Sequence, residues 1–263
     1  MKKALLVGIN NYPGTSNDLM GCVNDVQNMQ NLLASMFGFA TQDITMLADR
    51  ETTTANILKG LEALVAGARP GDLLVFHYSG HGSQVADPEG DEPDQLDEIL
   101  CPYDLDWKTK MIRDDDLKRI FEPLPPGVHL EVFLDSCHSG TGLKALPSRN
   151  GSYRRIRFMA PPQELDKPCP ASPARVAAIR PAKVRVLWAA CRSDQYASDA
   201  LIDGRYGGAF TTYLCNLVRE GQGSNTRAEL SKGLRSGLKK AEFKQTPQLE
   251  GSTKPRKALF LSM

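Results

Sequence analysis

Short apolar runs rich in β-branched residues recur along the chain, separated by longer stretches of helix-period sequence. The runs predict strands over residues 3–9, 43–47, 73–78, 130–134, 184–189 and 258–261. Most are hydrophobic along their whole length rather than alternating, which marks strands buried on both faces of a parallel-rich sheet. Helical periodicity fits residues 25–36, 54–66, 114–121, 209–219 and 227–243. The Thr52-Thr53-Thr54 run supplies N-cap candidates for the second helix, and Gly67 closes it. Strands alternating with helices predict an α/β/α sandwich, with functional groups gathered at the carboxyl ends of the strands.

One region breaks the pattern. Residues 142–182 hold Pro147, Pro161, Pro162, Pro168, Pro170 and Pro173, together with Arg149, Arg154, Arg155 and Arg157. Proline at that density does not sustain a helix or a central strand, so a long surface excursion between two core strands is expected. No linker-like break precedes it, and residues 1–263 read as one domain.

Composition narrows the function classes. The chain has 263 residues and 41% hydrophobic content, enough for one sizeable core. Lysine plus arginine (32) nearly cancels aspartate plus glutamate (31), which argues against a globally basic nucleic-acid or membrane binder. The apolar start after Lys2 and Lys3 ends at Asn10 and Asn11 without a small-residue cleavage site, so it reads as a first strand rather than a signal peptide. No stretch approaches the roughly 18 apolar residues of a membrane span. The cysteines at 22, 101, 137, 169, 191 and 215 show no framework spacing, so reduced thiols and a cytoplasmic setting are expected.

Two strands end in small-residue turns that carry reactive side chains. One reads Phe76-His77-Tyr78-Ser79-Gly80-His81-Gly82, the other Phe133-Leu134-Asp135-Ser136-Cys137-His138-Ser139-Gly140. Glycine on both sides of His81 lets backbone N–H groups approach a substrate carbonyl. A thiol needs an imidazole to take its proton and to protonate the leaving amine, so Cys137 and His81 form a workable nucleophile and base. A lone strand-end cysteine or histidine is more often structural. His77 lies inside its strand, His129 begins one, and His138 should point away from its neighbour Cys137. Only His81 has the glycine-flanked setting.

HYSGHG followed by DSCHSG resembles the metacaspase (orthocaspase) branch of the caspase-like cysteine peptidases. Further matches are GCVND at 21–25, GDEPDQLDE at 90–98, RDDDL at 113–117, AACRSDQYASD at 189–199 and GGAFTTYL at 207–214. The order of His and then Cys, with roughly fifty residues between them, suits the same pattern. The resemblance implies a caspase-like α/β/α sandwich around a mostly parallel six-stranded sheet, and hydrolysis of peptide bonds after arginine or lysine in protein or peptide substrates. It carries the dyad to His81 and Cys137, and the oxyanion donors to the N–H groups of Gly82 and Cys137. It carries the acidic S1 pocket to Asp25 and Asp135, with Cys22 and Ser79 on its wall. From the residues alone Asp135 suits that role, whereas Asp25 could equally be a helix N-terminal carboxylate.

The same resemblance implies monomeric action and no organic cofactor. It also places activating calcium carboxylates at Asp97, Asp114 and Asp115. The acidic stretch from Asp87 to Glu98 and the run Asp114-Asp115-Asp116 offer the hard oxygen ligands calcium prefers, although composition alone equally fits a solvated loop and a helix first turn. Lys144 stands where the family has a further carboxylate, so Glu98, carbonyls and water would complete such a site. Arg149, Arg154, Arg155 and Arg157 are candidates for self-cleavage, because an extended chain there could enter a cleft; the alternative is a solvated basic loop. Other readings are a catalytically silent caspase-like binding domain, a peptidase with another P1 preference, and a thiol sensor in which Cys191 reaches Cys137 through the fold.

Overall fold

The computed structural model describes residues 1–87, 96–137, 154–162, 186–251 and 256–262. Chain order among them runs β1 (Lys2–Gly8), α1 (Cys22–Phe37), β2 (Ile44–Ala48), α2 (Thr54–Val65), β3 (Leu73–Ser79), β4 (Gly82–Ala86), β5 (Leu96–Leu100), β6 (Ile112–Arg113), α3 (Asp114–Phe121) and β7 (His129–Asp135). It continues with β8 (Arg154–Ile156), β9 (Val186–Ala189), β10 (Ser198–Ile202), β11 (Arg205–Gly208), α4 (Ala209–Glu220), α5 (Arg227–Lys240) and β12 (Gln248–Gly251).

The central sheet has the order β12-β9-β7-β3-β1-β2, with every neighbouring pair parallel except β12 against β9. Its continuous apolar strands feed two cores by simple alternation. Leu6, Val75, Phe133 and Trp188 face one side, packing with Val26, Met29 and Leu33 of α1, Phe210 and Leu214 of α4, and Leu230 and Leu234 of α5. Leu5, Val7, Phe76, Val132 and Leu187 face the other, with Ile57 and Leu61 of α2 and Leu117 and Phe121 of α3. Burying both faces is why these strands carry no polar alternation. Two three-stranded sheets, β11-β10-β8 and β4-β5-β6, lie beyond the central one.

Local chemistry fixes the helix ends. The Thr53 side chain accepts the N–H of Asn56 and starts α2, as the threonine run predicted. Thr226 and Glu229 exchange hydrogen bonds in a capping box that starts α5. Gly38, at φ 65°, closes α1 with its N–H on the carbonyl of Leu33. A buried polar tie joins α5 to the sheet: Glu131 on β7 pairs with Arg227 at 2.7 Å and accepts the Trp188 indole N–H at 2.7 Å.

Two expectations are corrected. Residues 258–261 are not the sixth strand; they form a turn in which Phe260 and Leu261 plug the core and Leu261 adopts φ 49°, outside the β region. The hydrophobicity of Phe260 and Leu261 reflects burial; the segment's one β-contact is an isolated bridge from Leu259 to Thr226, away from the central sheet. The sixth strand is β12, whose Gln-Leu-Glu-Gly sequence is too polar and short to stand out, since an edge strand buries little beyond Leu249. The excursion is also not wholly on the surface: β8 pairs with β10, and Arg157 and Met159 are buried.

Candidate active site

Parallel pairing of β3 with β7 sets Ser79 opposite Asp135 at the carboxyl edge of the sheet. His81 and Cys137 each follow two residues beyond that matched pair, so the register alone brings both turns to one place. His77 lies deep in β3, its Nε2 3.1 Å from Thr211 Oγ1, and burial lowers its pKa to about 3. It belongs to the core, as expected. His129 is likewise in β7 at its amino end, while His138 lies outside the described residues.

The backbone of His81 is held by two tyrosines. Its N–H donates to the Tyr12 hydroxyl at 2.8 Å, and its carbonyl accepts the Tyr78 hydroxyl at 2.7 Å. The ring packs on Tyr12 with centroids 4.7 Å apart. Its Nε2 lies 2.6 Å from the carbonyl oxygen of Asn17. A carbonyl only accepts, so Nε2 carries the proton and Nδ1 keeps its lone pair. Burial lowers the ring's pKa to about 4, which leaves it neutral at pH 7. Nδ1 is buried with no hydrogen-bond partner among the described residues. Asn17 is thus the orienting group for His81. No motif flagged it, because it acts through its main chain.

Cys137 is fully buried, and its Sγ accepts the N–H of Ala197 at 2.7 Å. Cys191, two residues past β9, donates to the Gln195 carbonyl at 3.3 Å. A hydrogen bond with the Cys137 thiol, together with burial, pushes the Cys191 pKa well up. The fold therefore does bring Cys191 to Cys137, which sequence distance left open.

Arg157 dominates the site. Its carbonyl oxygen accepts two N–H groups, from Gly82 at 3.0 Å and from Cys137 at 3.1 Å. Its own N–H donates to the Ala197 carbonyl at 3.0 Å, and Met159 on its far side donates to the Gly82 carbonyl at 3.0 Å. The chain is thus pinned on both sides of the Arg157–Phe158 peptide bond. The guanidinium is fully buried. Nη2 reaches Asp25 at 2.7 Å and Asp199 at 3.0 Å. Nη1 reaches Ser79 Oγ at 2.6 Å, the Asp135 carbonyl at 3.1 Å and the Asp135 carboxylate at 3.2 Å.

These contacts gather the residues assigned to the S1 pocket. Asp25 sits in the first turn of α1, but its carboxylate accepts from Ser79 at 2.7 Å and from Gly208 N–H at 2.9 Å rather than capping the helix. Asp135 accepts the Thr211 hydroxyl at 2.7 Å. The Cys22 thiol is buried beside them; desolvation raises its pKa, and the Arg157 charge opposes that rise. Burial raises the pKa of Asp25 and of Asp135, with Arg157 acting in the opposite sense. Burial would lower the Arg157 pKa, yet the carboxylates around it raise it well above the ordinary value, so it stays charged. Asp199 is the pocket residue that sequence reasoning passed over, although it ends the quoted AACRSDQYASD segment. One oxygen meets Arg157 and Gly21 N–H at 3.0 Å, the other accepts Met20 N–H at 2.8 Å.

A family model for the metacaspase, peptidase C14 domain matches residues 2–146, which includes both reactive turns. The chain belongs to the metacaspase family. Metacaspase-1 of Cryptococcus neoformans is 36% identical over a match covering 95% of this chain and 62% of that protein. Metacaspase-1 of Emericella nidulans is 33% identical, covering 95% and 70%. Metacaspase-1 of Meyerozyma guilliermondii is 47% identical over 54% of this chain, but the match is only 36% of that longer protein. The chain spans less than two thirds of the length of the first curated relatives it matches. The crystal structure of protein GSU0716 from Geobacter sulfurreducens superposes with a TM-score of 0.72 at 25% identity, covering 99% of this chain and 98% of that one. Caspase-1 from Spodoptera frugiperda shares the fold, with a TM-score of 0.59 at 15% identity over 95% and 86%.

The metacaspase's expected calcium carboxylates lie along β5 and the start of α3. Asp97 is buried in an ion pair with Arg113, and burial raises its pKa, with Asp115 among the nearby charges. Asp114 is buried, whereas Asp115 pairs with Lys118 at 3.5 Å. Among the described residues no trio of acidic, His or Cys side chains is arranged to hold a metal. Arg113 stands where a cation beside Asp97 would sit, so calcium would bind there only once that ion pair opens. Lys144 and residues 88–95 lie outside the described residues. Among those described, no helix is long and apolar enough to cross a membrane.

The pocket depends on glycine at 208. A Cβ there would fall 2.2 Å from Asp135 Oδ2 and 2.6 Å from Arg157 Nη1. Gly208→Ala, made in a Cys137→Ala background so that the chain under test lacks that thiol, should expel the guanidinium. Trypsin should then cut after Arg157 at least tenfold faster than in Cys137→Ala alone, read by mass spectrometry under native conditions.

Proposed function

We propose that this metacaspase is a cysteine endopeptidase that cleaves after arginine, and after lysine less well, and that its first substrate is its own Arg157–Phe158 bond. The observation that carries this reading is the double N–H clasp on the Arg157 carbonyl beside a guanidinium locked among carboxylates. Two donors on one carbonyl oxygen are the arrangement that stabilises an oxyanion. The Cys137 Sγ attacks the Arg157 carbonyl carbon and its proton passes to His81 Nδ1. The Gly82 and Cys137 N–H groups hold the resulting oxyanion. Collapse breaks the bond to Phe158 nitrogen, which takes the proton from His81. Water then hydrolyses the thioester, with His81 as base. Asn17 keeps the proton on Nε2 throughout the first step.

The preference for arginine follows from the span of the contacts. A guanidinium offers two nitrogens to acceptors on different strands, whereas an ammonium is a single point. Arg149 lies outside the described residues, and Arg154 and Arg155 place their side chains elsewhere, so Arg157 is the favoured self-cleavage residue. Monomeric action and a cytoplasmic location belong to the same proposal.

Mass spectrometry of purified protein should show fragments ending at Arg157 and beginning at Phe158. Cys137→Ala should stay intact and inactive toward arginyl peptides. His81→Ala should lose about 10²- to 10⁴-fold in rate. Fragments of the same mass and yield from folded Cys137→Ala would contradict the assignment.

Calcium activation is retained as a proposal, supported by the carboxylates of Asp97, Asp114 and Asp115 on adjoining elements and by the family resemblance. It requires Arg113 to leave Asp97. In a calcium titration against an arginyl peptide, activity should rise from an EDTA baseline, and Asp114→Ala/Asp115→Ala should abolish the rise. Full activity of metal-free protein would count against it.

A further inference from the structure

Arg157 does not dock alone. Residues 154–156 pair antiparallel with β10, matching Ile156 with Ser198, Arg155 with Asp199 and Arg154 with Ala200. The Arg157 N–H to the Ala197 carbonyl extends this ladder by one residue. Four consecutive residues therefore lie as an added strand, the mode in which main-chain bonds give affinity and side-chain sites give selectivity.

The two arginines farther from the scissile bond each meet a site built for a cation. Arg154 stands over Phe243, its Cζ 4.3 Å from the ring centroid. Its guanidinium nitrogens donate to the carbonyls of Ala241 at 3.3 Å and Glu242 at 3.2 Å. Those carbonyls follow directly on α5, where a helix leaves acceptors unpaired and its dipole is negative. An aromatic face beside exposed carbonyls attracts a planar cation and offers nothing to a carboxylate. Arg155 reaches the opposite way, to the Ser16 carbonyl at 3.3 Å and to the carbonyl of Asp18. Asn17, between those two acceptors, is the residue whose carbonyl orients His81. Filling this second site therefore also steadies the loop that positions the base.

We infer that the metacaspase carries two cation-selective subsites beyond the Arg157 pocket. One is formed by Phe243 with the carbonyls of Ala241 and Glu242, the other by the carbonyls of Ser16 and Asp18. Its external substrates are accordingly extended multibasic segments of the form Arg-Arg-x-Arg, cleaved after the last arginine. This rests on the reading of Arg157 as a bound P1 residue. Arg154, Arg155 and Arg157 serve as the internal copy of that substrate.

The test uses the full chain after self-cleavage is complete. Four fluorogenic tetrapeptides end in Ile-Arg and carry Arg-Arg, Ala-Arg, Arg-Ala or Ala-Ala ahead of it. Each added arginine should raise kcat/KM about 3- to 10-fold, mainly through KM, and the gain should shrink in 1 M salt. Phe243→Leu, which keeps most of the buried volume, should bring the ratio of Arg-Arg to Ala-Arg peptide close to one. Equal kcat/KM on all four peptides would overturn the inference and leave the P1 reading standing. Failure of folded protein to cleave any of the four would overturn both.

Discussion

A guanidinium buried among three carboxylates is the interaction on which the site depends. Asp25, Asp135 and Asp199 come from α1, β7 and β10, and each reaches Arg157 within 3.2 Å. Without a cation, such a pocket would hold several like charges away from water, an arrangement that proteins relieve by protonation or by collapse. Burial raises the pKa values of Asp25 and Asp135 even with the Arg157 charge opposing it, so without that cation the two carboxylates would take up protons more readily still. On the proposed reading, selectivity and internal occupancy have one cause: a dry anionic cavity takes an arginine on an extended strand, and the chain supplies its own.

The parallel sheet sets the geometry on which the proposed chemistry rests. Because Ser79 and Asp135 are in register, the loops that follow them place Gly82 N–H and Cys137 N–H on one carbonyl oxygen. The Ala197 main chain does a second task. Its carbonyl holds the Arg157 N–H while its own N–H meets the Cys137 sulfur. The β8 strand, the proposed nucleophile and the proposed oxyanion donors are thereby tied to each other through backbone.

Much of this was legible in the sequence where one residue type had one plausible environment. Uninterrupted apolar strands pointed to a parallel sheet, and five of six core strands and all five helices fall where the pattern put them. The turns carrying the glycine-flanked His81 and the strand-end Cys137 stand at the same edge of the sheet. Where polarity and pairing part company, the pattern misleads. Phe260 and Leu261 are apolar because they plug the core, while the true edge strand around Leu249 is mostly polar. The proline-rich excursion hid β8, since a strand of three residues between loops leaves no periodic signal. Asp199 was passed over because its role depends on β10 meeting α1 across 174 residues of chain, the separation of Asp25 and Asp199. Asn17 acts through a carbonyl that every residue possesses.

The central claim is that Arg157 occupies the site of its own chain, and the order of the self-cleavage reaction tests it most directly. Unprocessed protein, prepared inactive and then activated, should lose its Arg157–Phe158 bond with a first-order rate constant. That constant should not change across a hundredfold range of protein concentration, because the Arg157 carbonyl is already held by the Gly82 and Cys137 N–H groups of its own chain. A rate rising in proportion to concentration, with Cys137→Ala protein cleaved efficiently by added active enzyme, would show that the segment is cut between molecules and contradict the account.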